Sequence, residues 1–108
     1  MSAAPVPKDA VLVELTPESL TFQTRECLLP GTRVAFGLVM EGRALPLEAP
    51  VEACLVVSRD RHGYVFHSRL SLSKLADADR SLIALFIAKG RGAPGITAPR
   101  SAATPTRT

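Results

Sequence analysis

Tryptophan is absent from this sequence of 108 residues, and the other aromatic residues are four Phe and one Tyr. Base-stacking platforms and aromatic cages for cationic ligands both need clustered rings, so neither is expected here. Hydrophobic residues nevertheless make up 46% of the chain, and most of them are Val, Leu and Ala. We therefore expect a single domain built around one aliphatic core.

Long apolar runs and export signals are absent as well. The longest apolar run, Leu82 to Ala88, has seven residues, whereas a membrane-spanning helix needs roughly 20. The opening "MSAAPVPKDA" has no apolar core of a signal peptide. Cys27 and Cys54 have no CxxC spacing. These features predict a cytoplasmic protein with reduced thiols and no membrane insertion.

The formal net charge of +3 is not spread over the chain. Residues 1–90 contain ten basic and ten acidic residues, and the excess comes from Arg91, Arg100 and Arg107. Binding to a phosphate backbone needs clustered basic residues. Neither DNA nor RNA is therefore expected as a partner.

Three stretches in the first 40 residues have the composition of β-strands. Leu20 and Phe22 alternate with polar residues, which places apolar side chains on one face of a strand. A Pro30-Gly31 turn signal separates the second stretch from the third. The predicted strands are 11–15, 20–24 and 33–40.

The next segment is predicted to return antiparallel to the third strand through a two-residue turn at Glu41-Gly42. Pro46 and Pro50 cannot donate a backbone hydrogen bond. We therefore expect the fourth strand to break near Pro50 and to resume through Val57. Residues 58–63 are polar and predict a loop, and residues 64–70 predict a last strand.

The spacing of apolar residues becomes helical after residue 74. Asp77 or Asp79 can begin this helix, and Lys89-Gly90 can end it. Residues 91–108 contain one large aliphatic residue, Ile96, and are rich in Pro, Ala, Ser and Thr, so we expect a disordered tail. The predicted fold is mainly β: a small antiparallel β-barrel with one C-terminal α-helix in residues 1–90. The predicted apolar stripe of the helix consists of Leu75, Leu82, Ile83, Phe86 and Ile87.

This order of elements is accompanied by four segments of characteristic sequence: "VLVELTPESLTFQT", "LLPGTRVAFGLVM", "GYVFHSRL" and "DADRSLIALFIAKGRG". Together they resemble a PilZ domain over about residues 8–92. The resemblance implies a bacterial regulatory module, and members of that family are best known for binding cyclic di-GMP.

Binding members carry two signatures, and this chain departs from both. An Arg-x-x-x-Arg pair, whose guanidinium groups can fork onto phosphate oxygens, does not occur anywhere in the sequence. The second signature, Asp/Asn-x-Ser-x-x-Gly, falls on residues 14–19. There Glu14 keeps a carboxylate, Thr16 keeps a hydroxyl, and Ser19 replaces the glycine and so disfavours a positive φ.

Other candidate sites are weaker. Arg59, Arg61 and His62 form the densest basic spot in the folded part, and the two arginines are the best substitutes for the missing arginine pair. The G-x-G-x-x-G spacing of residues 90–95 follows a helix instead of a strand, so it does not indicate a dinucleotide site. No metal-ligand set, activated nucleophile or carboxylate pair is recognisable. Neither enzymatic activity nor a cofactor is expected.

Two hypotheses remain open. In the first, the chain is a non-enzymatic PilZ-like adaptor that docks on a partner protein in motility, pilus or other cyclic-di-GMP-related signalling machinery. In the second, it is a sensor that binds cyclic di-GMP weakly through Glu14, Thr16 and an arginine recruited from elsewhere. The absent arginine pair favours the adaptor. The predicted ligand-site residues, whichever hypothesis holds, are Glu14, Thr16, Ser19, Arg59 and Arg61.

Overall fold

The structure, a computed structural model, describes residues 3–90 and 92–99. Strands account for more than half of these residues, so the expectation of a mainly β fold with one helix near the C-terminus is confirmed. In chain order the elements are β1 Ala4–Pro5, β2 Val11–Leu15, β3 Ser19–Thr24, β4 Arg33–Met40, β5 Arg43–Asp60, β6 Gly63–Ser71, α1 Asp77–Lys89 and β7 Gly95–Thr97.

Strands β4 and β5 form the predicted hairpin. Glu41 and Gly42 both have positive φ, 53° and 79°, which is the conformation of the two-residue turn that suits the twist of a hairpin. Glu41 adopts it without being glycine. The register pairs Met40 with Arg43 and continues to Arg33 opposite Pro50.

Strand β5 is continuous over 18 residues, so the predicted break near Pro50 is wrong. What changes there is the partner: residues 43–50 pair with β4, and residues 51–60 pair with β6. Pro50 lies opposite Arg33 at a non-hydrogen-bonded position of the β4 ladder, so its missing N–H removes no bond to β4. The N–H of the next residue, Val51, donates to the Thr32 carbonyl at 2.8 Å. Among the described residues, each half of β5 therefore has a strand partner on one side only.

The β5–β6 hairpin is tighter than expected. Residues 58–63 were predicted to form a loop, but Ser58–Asp60 belong to β5 and Gly63 begins β6, which leaves a turn at Arg61-His62. Gly63 has a φ of 116°, a value that side chains disfavour, so its glycine lets the chain re-enter the ladder at once.

The strands form an open sheet, and the expected closed barrel is wrong. The order is β1-β4-β5-β6-β3-β2, with β7 also paired to β4. Strand β2 lies near β7 but does not pair with it. The edge of β4 that closure would need is occupied by β1 at Val34-Ala35 and by β7 at Gly37–Val39.

Strand β7 lies within the predicted tail, residues 91–108, so this part of the tail is ordered. Its three residues pair antiparallel with β4, and the side chain of Ile96 packs against the core. A Pro-rich segment with one aliphatic side chain can therefore form an ordered strand when an open strand edge is available to pair with it. Residues 91 and 100–108 of the predicted tail lie outside the described residues.

The core lies between the inner face of the sheet and helix α1. Leu20 and Phe22 from β3, and Phe36 and Leu38 from β4, have no exposed surface. Helix α1 begins at Asp77 as predicted and ends at Lys89. The next residue, Gly90, is left-handed and caps the helix, with its N–H donating to the carbonyls of Phe86 and Ile87. The helix buries Ile83 and Phe86.

The predicted apolar stripe of the helix is only partly buried. Leu82 is 50% exposed, although the helical spacing placed it among the covering residues, and Leu85 is 53% exposed. Leu75 precedes the helix and packs against the core from the β6–α1 connection.

We predict that Gly37 is required for the seating of β7. A methyl group at Gly37 would lie 2.8 Å from Thr97 Cγ2, whereas one at Gly95 would lie 3.8 Å from Val39 Cβ, an ordinary contact. Gly37→Ala should therefore lower the free energy of unfolding by about 1 to 3 kcal/mol relative to Gly95→Ala in urea titrations. Adding Thr97→Ala should remove most of that difference. Equal stability of the two single variants would contradict this seating of β7.

Candidate functional site

The turn between β2 and β3 is held together by its own polar groups. Thr16 Oγ1 accepts hydrogen bonds from the backbone N–H of Glu18, at 3.2 Å, and from that of Ser19, at 3.0 Å. The N–H of Thr16 donates to the carbonyl of Ser19 at 2.8 Å. The Thr16 and Ser19 hydroxyls are 3.2 Å apart, so each has a partner within the turn.

This arrangement leaves few free backbone N–H groups that could bind an anion. The backbone N–H groups of Glu18 and Ser19, which could face a phosphate, are already bonded to the Thr16 hydroxyl. Ser19 does not have a positive φ, so the turn is built without the conformation that glycine would supply. Pro17 lies inside the turn and has no N–H.

Glu14 lies on the outer face of the sheet, in the row that continues through Thr21 and Arg69. Directly opposite residues on neighbouring strands share a face. Arg69 is therefore the arginine that the register brings nearest to the turn, and its Nε donates to Glu52 Oε1 at 3.0 Å. Sequence reasoning missed Arg69 because the pairing of β3 with β6 joins residues almost 50 positions apart.

Arg59 and Arg61 lie at the other end of β6. Arg59 is opposite Tyr64, and its guanidinium carbon lies 5.9 Å from the centre of that ring. Ser19 is opposite Ser71. The seven positions from Tyr64 to Ser71 span about 23 Å at roughly 3.3 Å per residue. The structure thus brings Thr16 and Ser19 together and separates both from Arg59 and Arg61.

Asp60, between those two arginines, has a partner of its own. Arg25 donates to Asp60 Oδ1 at 3.0 Å and to Oδ2 at 2.7 Å, and the N–H of His62 donates to Oδ1 at 2.8 Å. The hydrogen bonds from Arg25, followed by the one from His62, lower the pKa of Asp60. This ion pair is exposed, so it should contribute little to the free energy of unfolding, but it links Arg25 to the end of β5.

Asp9 anchors the residues that follow β3. Its Oδ1 accepts a hydrogen bond of 2.7 Å from the buried Thr24 hydroxyl, and its Oδ2 accepts one of 2.9 Å from the N–H of Arg25. The hydrogen bond from Thr24 is the main reason that the pKa of Asp9 is lowered. Asp9, Arg25 and Asp60 were not singled out from the sequence, because their roles depend on contacts across the sheet.

The two cysteines meet, although nothing in their sequence spacing indicated it. Cys54 Sγ and Cys27 Sγ are 3.9 Å apart, and the buried hydroxyl of Ser68 donates to Cys54 Sγ at 3.4 Å. Cys27 belongs to the β3–β4 connection, residues 25–32, and Cys54 to β5. Both thiols are free. The contact with Cys54, together with desolvation, raises the pKa of Cys27.

A cleft of about 310 Å³ separates helix α1 from the β4–β5 hairpin. We refer to it as the helix–hairpin cleft. Its apolar lining consists of Met40, Ala44, Leu45, Leu82, Leu85 and Phe86, and its charged lining of Glu41, Arg43 and Lys89. None of these three charged residues is in an ion pair within residues 3–90 and 92–99. The half-exposed Leu82 and Leu85 thus face a concave, mainly apolar surface.

No three His, Cys, Asp or Glu side chains of the described residues are close enough together to hold a metal ion. In the same part of the chain, no helix has the length and apolar character needed to cross a membrane.

The Thr16 hydroxyl is predicted to stabilise the turn. Thr16→Ala removes the acceptor for two backbone N–H groups and should lower the free energy of unfolding by about 1 kcal/mol. Thr16→Ser keeps the hydroxyl and should lose much less. Urea denaturation of both variants measures the difference. Equal losses would show that the methyl group of Thr16, and not its hydroxyl, matters.

Asp9 is predicted to make stability depend on pH. Its pKa in the folded chain is lowered, so its contribution is present above the ordinary Asp pKa of about 4 and is lost as pH falls through the folded value. Asp9→Asn should therefore be less stable than the native chain at pH 7, and the gap should narrow towards pH 3 in thermal unfolding. Glu26→Gln is the control, because no described donor contacts that carboxylate. A gap that is constant with pH would contradict the role of Asp9.

Comparisons with known proteins do not identify a relative of this chain. Searches against protein-family models, curated proteins and solved structures find no match. A functional assignment for this chain therefore depends on its own residues: a turn whose polar groups are satisfied, two arginines far from that turn, and an apolar cleft beside the helix.

Proposed function

We propose that the chain is a non-enzymatic, PilZ-like regulatory module of the bacterial cytoplasm that acts as a protein–protein adaptor. The order of elements along the chain, strands followed by one helix, and the four resembling sequence segments support the PilZ-like assignment. The open sheet differs from the closed barrel that the resemblance implied. The same resemblance suggests that the adaptor serves cyclic-di-GMP-related signalling, in motility or pilus machinery.

The observation that carries the choice of adaptor is the separation of the candidate ligand residues. A dianionic dinucleotide needs cations near the donors that receive its phosphates, because desolvating two phosphates is costly without charged partners. Thr16 and Ser19 lie about 23 Å along the sheet from Arg59 and Arg61. The nearer Arg69 is bound to Glu52.

The hydrogen bonds within the turn also favour the adaptor over the sensor. The Thr16 hydroxyl already accepts two backbone hydrogen bonds, so a phosphate would have to displace it from the N–H groups of Glu18 and Ser19. The negative charge of the exposed Glu18 would also oppose an anion at this position.

The helix–hairpin cleft is the surface that we assign to the partner. Leu82 and Leu85 keep about half of their surface exposed there. We assign the cleft to an apolar segment of a partner protein that carries an acidic residue beside it. The apolar side chains would fill the cleft, and the acidic residue would meet Lys89 or Arg43, which outnumber the single acid Glu41.

Calorimetric titration with cyclic di-GMP at physiological salt tests the first half of the proposal. We expect no saturable heat at micromolar concentrations, because paired cations are missing at the turn. Saturable binding that Thr16→Ala weakens and Thr16→Ser preserves would favour the sensor and would contradict the adaptor.

Affinity capture from the native cell, with quantitative mass spectrometry, tests the cleft. The double variant Leu82→Asp, Leu85→Asp should capture about tenfold less of the partner, or even less than that, because buried apolar contacts at the centre of an interface dominate its affinity. Leu29→Asp is the matched control, because Leu29 is 71% exposed on the β3–β4 connection, away from the cleft. A partner retained by the double variant, or lost equally by the control, would contradict this assignment. Circular dichroism confirms that each variant is folded.

A further inference from the structure

The β3–β4 connection, residues 25–32, runs alongside the second half of β5 in the opposite direction. At its start, Arg25 is bound to Asp60. At its end, the N–H of Gly31 donates to the Val51 carbonyl, and the N–H of Val51 donates to the Thr32 carbonyl, both at 2.8 Å. The connection is thus fixed to β5 at both ends.

The two cysteines meet between these fixed points. Cys27 and Cys54 are separated by 27 positions in the sequence, yet their sulfur atoms are 3.9 Å apart. Cys54 shares the inner face of the sheet with Phe22 and Ser68, and the Ser68 hydroxyl holds its sulfur. Cys27 is exposed, so small molecules in solution can reach it.

A disulfide requires the sulfur atoms to approach to about 2.05 Å. From 3.9 Å this is a movement of about 2 Å. Cys27 is exposed and lies between the two anchored ends of the connection, so the proposal requires this movement from the Cys27 side chain and the residues beside it. The remaining requirement is a disulfide reagent that can reach one of the two thiols.

We infer that Cys27 and Cys54 form a dithiol site that reacts with low-molecular-weight disulfides, such as oxidised glutathione, to give one intramolecular disulfide. This site is independent of the proposed function. Neither the helix–hairpin cleft nor the Thr16 turn takes part in it.

The reaction is two successive thiol–disulfide exchanges. Cys27 loses its proton to solvent, and its thiolate attacks one sulfur of the small disulfide. A mixed disulfide forms at Cys27, and one small thiolate leaves and is protonated. Cys54 then loses its proton, attacks the Cys27 sulfur, and releases the second small thiolate. The protein thiols are oxidised by two electrons in all, and the small disulfide is reduced to two thiols.

The disulfide would tie the middle of the connection to β5, in addition to the two ends already held. A cross-link between residues 27 positions apart restricts the unfolded chain and stabilises the folded one. The oxidised form should therefore unfold at a temperature about 10 °C higher than the reduced form.

The test equilibrates the full chain with glutathione buffers of increasing oxidised fraction, followed by acid quenching and intact-mass analysis. We expect conversion to a monomer that has lost two hydrogen atoms and carries no glutathione. Trypsin, which cleaves after Arg25, Arg33, Arg43 and Arg59, should release peptides 26–33 and 44–59 as one linked species that separates on reduction.

Single variants supply the matched controls. Cys54→Ser should stop at the mixed disulfide on Cys27, and neither Cys54→Ser nor Cys27→Ser should show the rise in unfolding temperature. A native chain that keeps both thiols in the most oxidising buffer would overturn the inference. So would a chain that accumulates two separate glutathione adducts or intermolecular dimers. Because the native chain gives the decisive mass, the test does not depend on the folding of the variants.

Discussion

The exchange of partners within strand β5 is the constraint on which the other features depend. One continuous strand pairs with β4 up to Pro50 and with β6 from Val51, so two groups of strands share a single backbone. Pro50 interrupts no hydrogen bond of the first ladder, because the N–H of its neighbour Val51 is the one that faces this side and donates to Thr32. The bulges after Val51 and Val56 add local twist as the strand enters its second ladder. The helix–hairpin cleft lies beside the first half of β5, and the β3–β4 connection lies beside the second.

Local features of the fold were predictable from the sequence. Composition identified β2, β3 and β4, with clear alternation in β3. The Glu41-Gly42 turn identified a hairpin, and the change to helical spacing identified α1. These signals are local, because each depends on neighbours within a turn or a strand. The same reasoning misjudged Pro50 as a break, because the sequence shows that a proline lacks an N–H but not which side of the strand that N–H would face.

Features that depend on long-range pairing were not predictable. The openness of the sheet, the strand β7 and the row that joins Glu14 to Arg69 all follow from register between distant segments. The contact between the two cysteines and the anchoring of Arg25 by Asp60 have the same origin. Of the five predicted site residues, Thr16 and Ser19 share a turn, whereas Arg59 and Arg61 belong to a distant hairpin. Residue type alone could not establish that separation.

The edge of β4 shows what the two shortest strands do for the whole molecule. Strand β1, which comes early in the sequence, covers it at Val34-Ala35. Strand β7, which comes late in the sequence, covers it at Gly37–Val39. Bare strand edges offer unpaired backbone groups to other molecules and promote aggregation. Trimming either short strand would uncover such an edge beside the core residues Phe36 and Leu38. Shortened versions of this chain should therefore be more prone to aggregate through this edge.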